Sequence, residues 1–207
     1  MICGIDLSIS SPAITVFDGQ FTCYFRDKIA TDQTSNAIRF RGSEEDRLYH
    51  IRRYNQIADW IEECILKHFP ANNKLFVVFE GISYGSPGRI VQLAENAGVI
   101  KARLAHSYYV DIIDVAPTTV KKFATGAGFC EKIDMVRKFE EETGVDFSML
   151  FPGKNIEKSP ISDIVDSYWI CRYAINNKEE LVNSLDSNGC QTKPKKRKKR
   201  KAKPISI

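Results

Sequence analysis

Residues 1–7 and 12–17 alternate between apolar and polar positions around a polar turn, and Gly19-Gln20 leads into the run FTCYF. Period-two alternation predicts strands, and Asp18-Gly19 is a hairpin signal, so a meander of two or three strands is expected. Residues 27–43 are polar and unperiodic and predict a loop. From Glu44 to His68 the pattern changes: Leu48, Ile51, Tyr54, Ile57, Ile61 and Ile65 recur at helical spacing, and Pro70 with Asn72-Asn73 stops the run. LFVVFE is then a short, continuous apolar stretch of the kind found in a strand buried on both faces.

The second half repeats the alternation of element types. After the glycine-bearing loop GISYGSPG, residues 89–108 predict a helix with Ile90, Leu93, Ala94, Ala97, Ile100 and Leu104 on one side. YVDIIDV predicts a strand ended by Pro117, which also suits the first turn of a short helix, PTTVKKFA. TGAGFCEK predicts a loop, EKIDMVRKFEEET a helix ended by Gly144, and 154–159 another loop. A last helix through IVDSYWICRYAIN follows, with Ser159 or Ser162 as its capping residue. Beyond Asn176 the pattern fades. Strands, helix, strand, helix, strand, helices is the order of a mixed α/β layer fold with a central sheet. The expected organisation is one domain over 1–178 and a disordered tail over 187–207.

Charge sharpens that division. The chain has 207 residues and a net charge of +4, yet nine of its 30 Lys and Arg lie in the tail segment KPKKRKKRKAK, residues 193–203. That leaves 21 against 26 Asp and Glu, so residues 1–192 carry about −5. Lys195, Lys196 and Arg197 at the heart of the tail are candidate phosphate contacts whose grip would weaken with salt. A nuclear-import address, if the host has a nucleus, and a solubility aid are the other readings. With 43% hydrophobic residues the chain can bury one core. No apolar stretch reaches the roughly 18 residues of a membrane span, and the N-terminus lacks the segments of a signal peptide. Six cysteines without a C-x-x-C pair argue for free thiols in a reducing compartment.

Candidate chemistry comes from four carboxylates placed where apolar elements would exclude charge: Asp6 in GIDLS, Glu80 in FVVFEG, and Asp163 and Asp166 in SDIVDSYW. Isolated charges are expensive to bury and persist only if a cation neutralises them. With no matching His or Cys cluster, a hard, oxygen-liganded ion is indicated, Mg²⁺ or Mn²⁺. Asp163 and Asp166 lie three apart on one helix face, a spacing that suits a metal pair and phosphoryl transfer. Three of them taken singly have a plainer reading: a helix-dipole partner for Asp163, an exposed strand end for Glu80, a turn former for Asp6. Asp166, in an apolar stretch with Ile164, Val165 and Trp169, is harder to dismiss.

These segments, with the pattern P-[ST]-x-V-K…G-x-G-x-x-x-K filled by Pro117, Thr118, Val120, Lys121, Gly126, Gly128 and Lys132, resemble the RuvC-type Holliday junction resolvases of the RNase H-like nuclease superfamily. The resemblance covers roughly residues 1–176. It implies an α/β, RNase H-like mixed central sheet flanked by helices, and a homodimer that cuts symmetrically related strands of a four-way DNA junction using Mg²⁺. By the same resemblance Asp6, Glu80, Asp163 and Asp166 are metal ligands, two ions per site, and Lys121 and Lys132 lie near the phosphates. Lys122, Arg89, Gly126 and Gly128 are further candidate DNA contacts, the glycines through backbone N–H groups. Ser8 stands where bacterial members often have Gly. The aromatic wedge that those members carry after the strand Glu has no residue at the same offset, and Tyr84 is the candidate substitute. The loop at 31–46 and the tail are closer to phage or viral relatives. The expected location is the cytoplasm of a bacterium or phage-infected host, or the nucleus if the host has one.

Other classes fit less well. Actin- and sugar-kinase-like ATPases also open on G-[IV]-D, but they need a second domain and a D-x-G-[GT] loop that this chain lacks. D-x-E exonucleases fail because Leu7 and Ser8 follow Asp6. A non-catalytic junction-binding module would have no need of all four carboxylates, and a general branched-DNA nuclease is the neighbouring alternative.

Overall fold

A computed structural model describes residues 1–26, 44–68, 74–82 and 87–189. Its element order is β1 (Ile2–Asp6), β2 (Ala13–Phe17), β3 (Phe21–Phe25), α1 (Glu44–Leu66), β4 (Leu75–Glu80), α2 (Pro87–Ser107), β5 (Val110–Val115), α3 (Pro117–Thr125), α4 (Lys132–Thr143), α5 (Phe147–Leu150), α6 (Ile161–Asn176) and α7 (Lys178–Gly189). The five strands form one sheet in the order β3-β2-β1-β4-β5. The first three are the antiparallel meander, while β1, β4 and β5 run parallel. Parallel neighbours need crossovers, and the chain between β1 and β4 supplies α1, as α2 does between β4 and β5.

Both faces of the sheet are covered, which explains the unbroken apolar run in β4. Leu75, Val77 and Phe79 face α1 and α2 together with Cys3, Ile5, Ile57, Ile61, Ile100 and Leu104. Phe76 and Val78 face α6, with Ile2, Val120, Met135, Phe139, Ile164 and Trp169. Alternation therefore puts Ile2, Gly4 and Asp6 of β1, and Phe76, Val78 and Glu80 of β4, toward α6. At Gly4 the helix backbone is pressed against the strand. A Cβ there would sit 2.5 Å from the Ser167 carbonyl oxygen and 2.8 Å from the Cys171 Cα, so no larger residue fits.

Several expectations need correction. Leu48 and Ile51, on the expected core stripe of α1, are about half exposed, and burial begins at Tyr54. Neither Ser159 nor Ser162 caps α6; Pro160 occupies the cap position. The fade after Asn176 conceals α7, whose Leu181 and Val182 pack on the α6-side core, so the folded unit continues past residue 178. The short α5 was also unforeseen, capped by Asp146, which accepts from the Ser148 N–H at 2.8 Å. Residues 27–43 and the tail beyond 189 lie outside the described residues. Among those described, Cys3, Cys23, Cys64, Cys130 and Cys171 are unbridged, and no helix is long and apolar enough to cross a membrane.

Candidate active site

The register that pairs Ile5 with Phe79 brings the C-terminal ends of β1 and β4 side by side, so Asp6 and Glu80 leave the sheet as neighbours on the α6 face. Open parallel sheets characteristically offer a crevice at this end of their strands. Asp6, Glu80 and Asp166 line one cleft of about 440 Å³ with Ser8, Lys121, Lys132, Leu93, Met135 and Pro117 among its walls. Three chain segments far apart in sequence thus converge on a single surface.

The two lysines are aimed by the packing of their helices on α6. Val120 is buried in α3, and Phe123 meets Trp169 and Tyr173 edge-on. In α4, Met135, Val136 and Phe139 are buried, the Trp169 Nε1–H donates to the Met135 carbonyl at 3.2 Å, and Arg172 pairs with Glu142 at 2.6 Å. Lys132 is the first residue of α4, where a cation opposes the helix dipole. The carboxylates across the cleft compensate it.

Asp163 has a different environment. It is 8% exposed, and its Oδ2 accepts from the Ser11 and Ser159 hydroxyls, both at 2.6 Å. Its Oδ1 accepts from the Ser162 hydroxyl at 3.1 Å. Ser11 in turn lies 3.3 Å from Ser8 on the cleft wall, and Arg53 holds the same turn through the Ile9 carbonyl at 2.9 Å. Asp163 therefore stands just behind the cleft, close enough for its charge to act on Asp6 and Asp166. From the sequence, Ser159 and Ser162 are expected only as caps, and none of these serines is paired with Asp163. Their signal was present as SISS after Asp6 and KSPIS before Asp163.

Burial is the main reason the cleft carboxyls resist ionisation, and mutual repulsion adds to it. Asp6 is raised well above the usual carboxylate range by burial, then by Asp166, Glu80 and Asp163, with Lys132 opposing. Glu80 is pushed up to about 7 by burial and by Asp166, against Lys121 and Lys132. Asp166 reaches about 6, through burial and Asp163, with Lys132 and Lys121 opposing. Since the folded-state values exceed the unfolded ones, these groups stabilise the fold most at low pH, and that contribution is lost as pH rises through them. The metal-free protein is therefore expected to lose about 5 °C or more of melting temperature between pH 5 and pH 8. Added Mg²⁺ or Mn²⁺ should raise the melting temperature by an amount that grows with pH. Thermal scans across that range check this, and a flat profile would contradict it.

The other predicted contacts divide. Lys122 is exposed on the last turn of α3, one residue from Lys121. Gly126 ends that helix at φ 84°, a conformation suited to glycine, and its N–H is taken by the Lys122 carbonyl at 2.8 Å, so it does not serve as a phosphate cradle. Gly128 lies against the Thr118 carbonyl. Farther along α2, Arg103, which is not among the predicted contacts, binds Asp59 at 2.5 Å and also Glu62, tying α2 to α1. Arg89 belongs to the first turn of α2, but its side chain lies outside the described residues, as do Tyr84, Lys195, Lys196 and Arg197.

No group of three or more His, Cys, Asp or Glu among the described residues is already drawn into a cage for a metal ion. The donor chemistry nevertheless fits a hard divalent cation in kind: the anionic donors of the cleft are all carboxylates, crowded enough to hold one another's protons.

No family model and no curated protein matches the sequence. Solved structures do match. RuvC of Thermus thermophilus superposes with a TM-score of 0.53 at 13% identity, over 86% of this chain and 96% of that one. T. thermophilus RuvC in complex with a Holliday junction substrate gives 0.53 at 13%, over 84% and 94%. The yeast mitochondrial Holliday junction resolvase Ydc2 gives 0.51 at 12%, over 90% and 82%. A mixed five-stranded sheet flanked by helices that superposes on RuvC over most of both chains gives this chain the RNase H-like fold of the RuvC-type Holliday junction resolvases.

Proposed function

We propose that this chain is a structure-selective DNA endonuclease that resolves four-way junctions by phosphodiester hydrolysis. One observation carries the reading: carboxylates from β1, β4 and α6 and lysines from α3 and α4 meet on one cleft of a RuvC-type fold. A binding module would not need to keep acidic groups at the spot where a phosphate must approach.

Asp6, Glu80 and Asp166, with Asp163 behind them, would hold two Mg²⁺ ions (Mn²⁺ the alternative), which supply Lewis-acid charge to the attacking and departing oxygens. Lys132 and Lys121 attract the scissile and flanking phosphates and offset the negative charge that builds on phosphorus. Water attacks in line, forming a new P–O bond as the bond to the 3′ oxygen breaks, and leaves a 5′ phosphate and a 3′ hydroxyl. Met135 and Leu93 give the cleft an apolar wall that limits bulk water. Symmetric cutting of a four-way junction requires two such clefts related by a two-fold axis, so the working unit in this reading is a homodimer. The basic tail would help an otherwise acidic body approach DNA.

The test is cleavage of labelled four-way junction, Y-fork and linear duplex, each with and without Mg²⁺. Paired, symmetric nicks confined to the junction and dependent on metal are expected. Equal cutting of forks would widen the substrate to branched DNA in general. Tight junction binding with no cutting would make the chain a binding module.

A further inference from the structure

Phe129 is 97% exposed, the most exposed large apolar side chain among the described residues. Its segment, 126–131, joins α3 to α4, the two helices that bring Lys121 and Lys132 to the cleft. The segment is pinned at both ends. The Thr125 hydroxyl donates to the Lys121 carbonyl at 2.9 Å and accepts from the Ala127 N–H at 3.3 Å, while the Glu131 N–H donates to Asp134 Oδ2 at 3.1 Å. Between them, a Cβ on Gly128 would lie 3.3 Å from the Thr118 carbonyl oxygen, so the chain is laid against the first turn of α3, beside Pro117 on the cleft wall. Burying a phenyl ring is among the larger gains open to a side chain, and Phe139 and Phe147 are both buried. Phe129 is held in water by a segment with little freedom to fold it away.

Its surroundings say what would cover it. Lys121, Lys122, Lys132 and Arg137 flank the segment on α3 and α4 and form no ion pair among the described residues. Arg137 lines the same shallow hollow as Phe129. The acidic groups there are engaged, Asp134 by the Glu131 N–H and Glu141 by Lys138. An aromatic face beside Lys122 and Arg137, with Lys121 and Lys132 turned to the adjoining cleft, suits a nucleobase held through its neighbouring phosphates. Phe129 stands three residues from Lys132, at most about 11 Å along the chain, which is about three nucleotide steps of 3.4 Å.

Inside a linear duplex both faces of every base are stacked. A face becomes available at a branch, an end or a single strand. We infer that Phe129 stacks on a nucleobase exposed at the branch point, a contact that favours branched over linear DNA at the adjoining cleft; this rests on the endonuclease reading above.

Phe129→Ala and Phe129→Trp, each in the full chain, test it by equilibrium binding to four-way junction and to linear duplex of the same sequence. The Ala variant should lose about tenfold in junction affinity with little change on duplex, and Trp should restore the preference. Both should melt within a degree or so of wild type, since the ring buries nothing. In wild type, junctions carrying 5-iododeoxyuridine near the branch should photo-crosslink to Phe129. Preference retained by the Ala variant, or equal loss on both DNAs, would sink the contact alone. A wild-type chain with no preference for branched DNA would sink the endonuclease reading with it.

Discussion

Asp166→Asn should lower junction cleavage by at least about 10³-fold and, in the same molecule, raise the melting temperature of the metal-free protein. The two effects share one cause. Asp166 sits among Asp6, Glu80 and Asp163, and burial together with Asp163 lifts its carboxyl to about 6. Above that pH its charge works against the fold and raises Asp6 and Glu80 further. A neutral isostere removes this repulsion, worth roughly 1–2 kcal/mol at pH 8, or a few degrees of melting temperature. In the proposed function the same charge helps bring the phosphate's cations into the cleft, and losing one such transition-state contact commonly removes about 10²–10³ in rate. Losing a ligand as well sets the higher figure. Junction binding should be unchanged or tighter, because an anion has left the path of a phosphate. Nicking assays and metal-free thermal scans read both quantities. Cleavage within tenfold of wild type would refute the assignment of Asp166.

Gly4→Ala should be the most damaging alanine substitution among the described glycines. The added methyl would fall 2.5 Å from the Ser167 carbonyl oxygen and closer still to the Cys171 nitrogen, both backbone atoms of α6. Backbone cannot rotate aside as a side chain can, so α6 must lift from β1. Overpacking of this kind costs about 3 kcal/mol or more, close to 10 °C in a chain of this size. Asp163 and Asp166 ride on the displaced helix while Asp6 stays on the strand. A shift near 1 Å between them should remove about 10²-fold of activity even below the melting point. Gly98→Ala is the control. Gly98 lies in α2 with open space where its Cβ would go, and there Ala should stabilise by about 0.5–1 kcal/mol. Equal responses at the two glycines would mean that β1 and α6 are not packed as described.

Much of this was readable from local pattern. Alternation in 1–7 and 12–17, the apolar run at 75–80 and the helical spacing at 54–65 marked elements whose burial is local in origin. The same alternation sends Asp6 and Glu80 to one face once the strands are in register. Whatever depended on distant partners stayed hidden. Leu48 and Ile51 continue the stripe of α1, yet little covers that end of the helix among the described residues. Ser11 and Ser159 look like turn and cap residues, because hydroxyls satisfy caps in most contexts. Their actual acceptor, Asp163, lies 152 positions from Ser11. Gly126 matched a phosphate-loop spacing, but helix termination demands glycine just as strongly. Phe129 reads as any other apolar residue, since exposure is a property of the assembled surface.

The cleft carboxylates lie at positions 6, 80 and 166, and each comes from a different element of the sheet or the helix laid across it. During synthesis β1 and β4 emerge long before α6, and domains fold as units once their cores can close. A half-made chain therefore holds acidic residues but no place for them to meet. In the proposed function, a chain interrupted before residue 166 would lack a complete cleft and would not cut DNA. The delivery of α6 is then, in that function, what completes the cleft and permits cleavage.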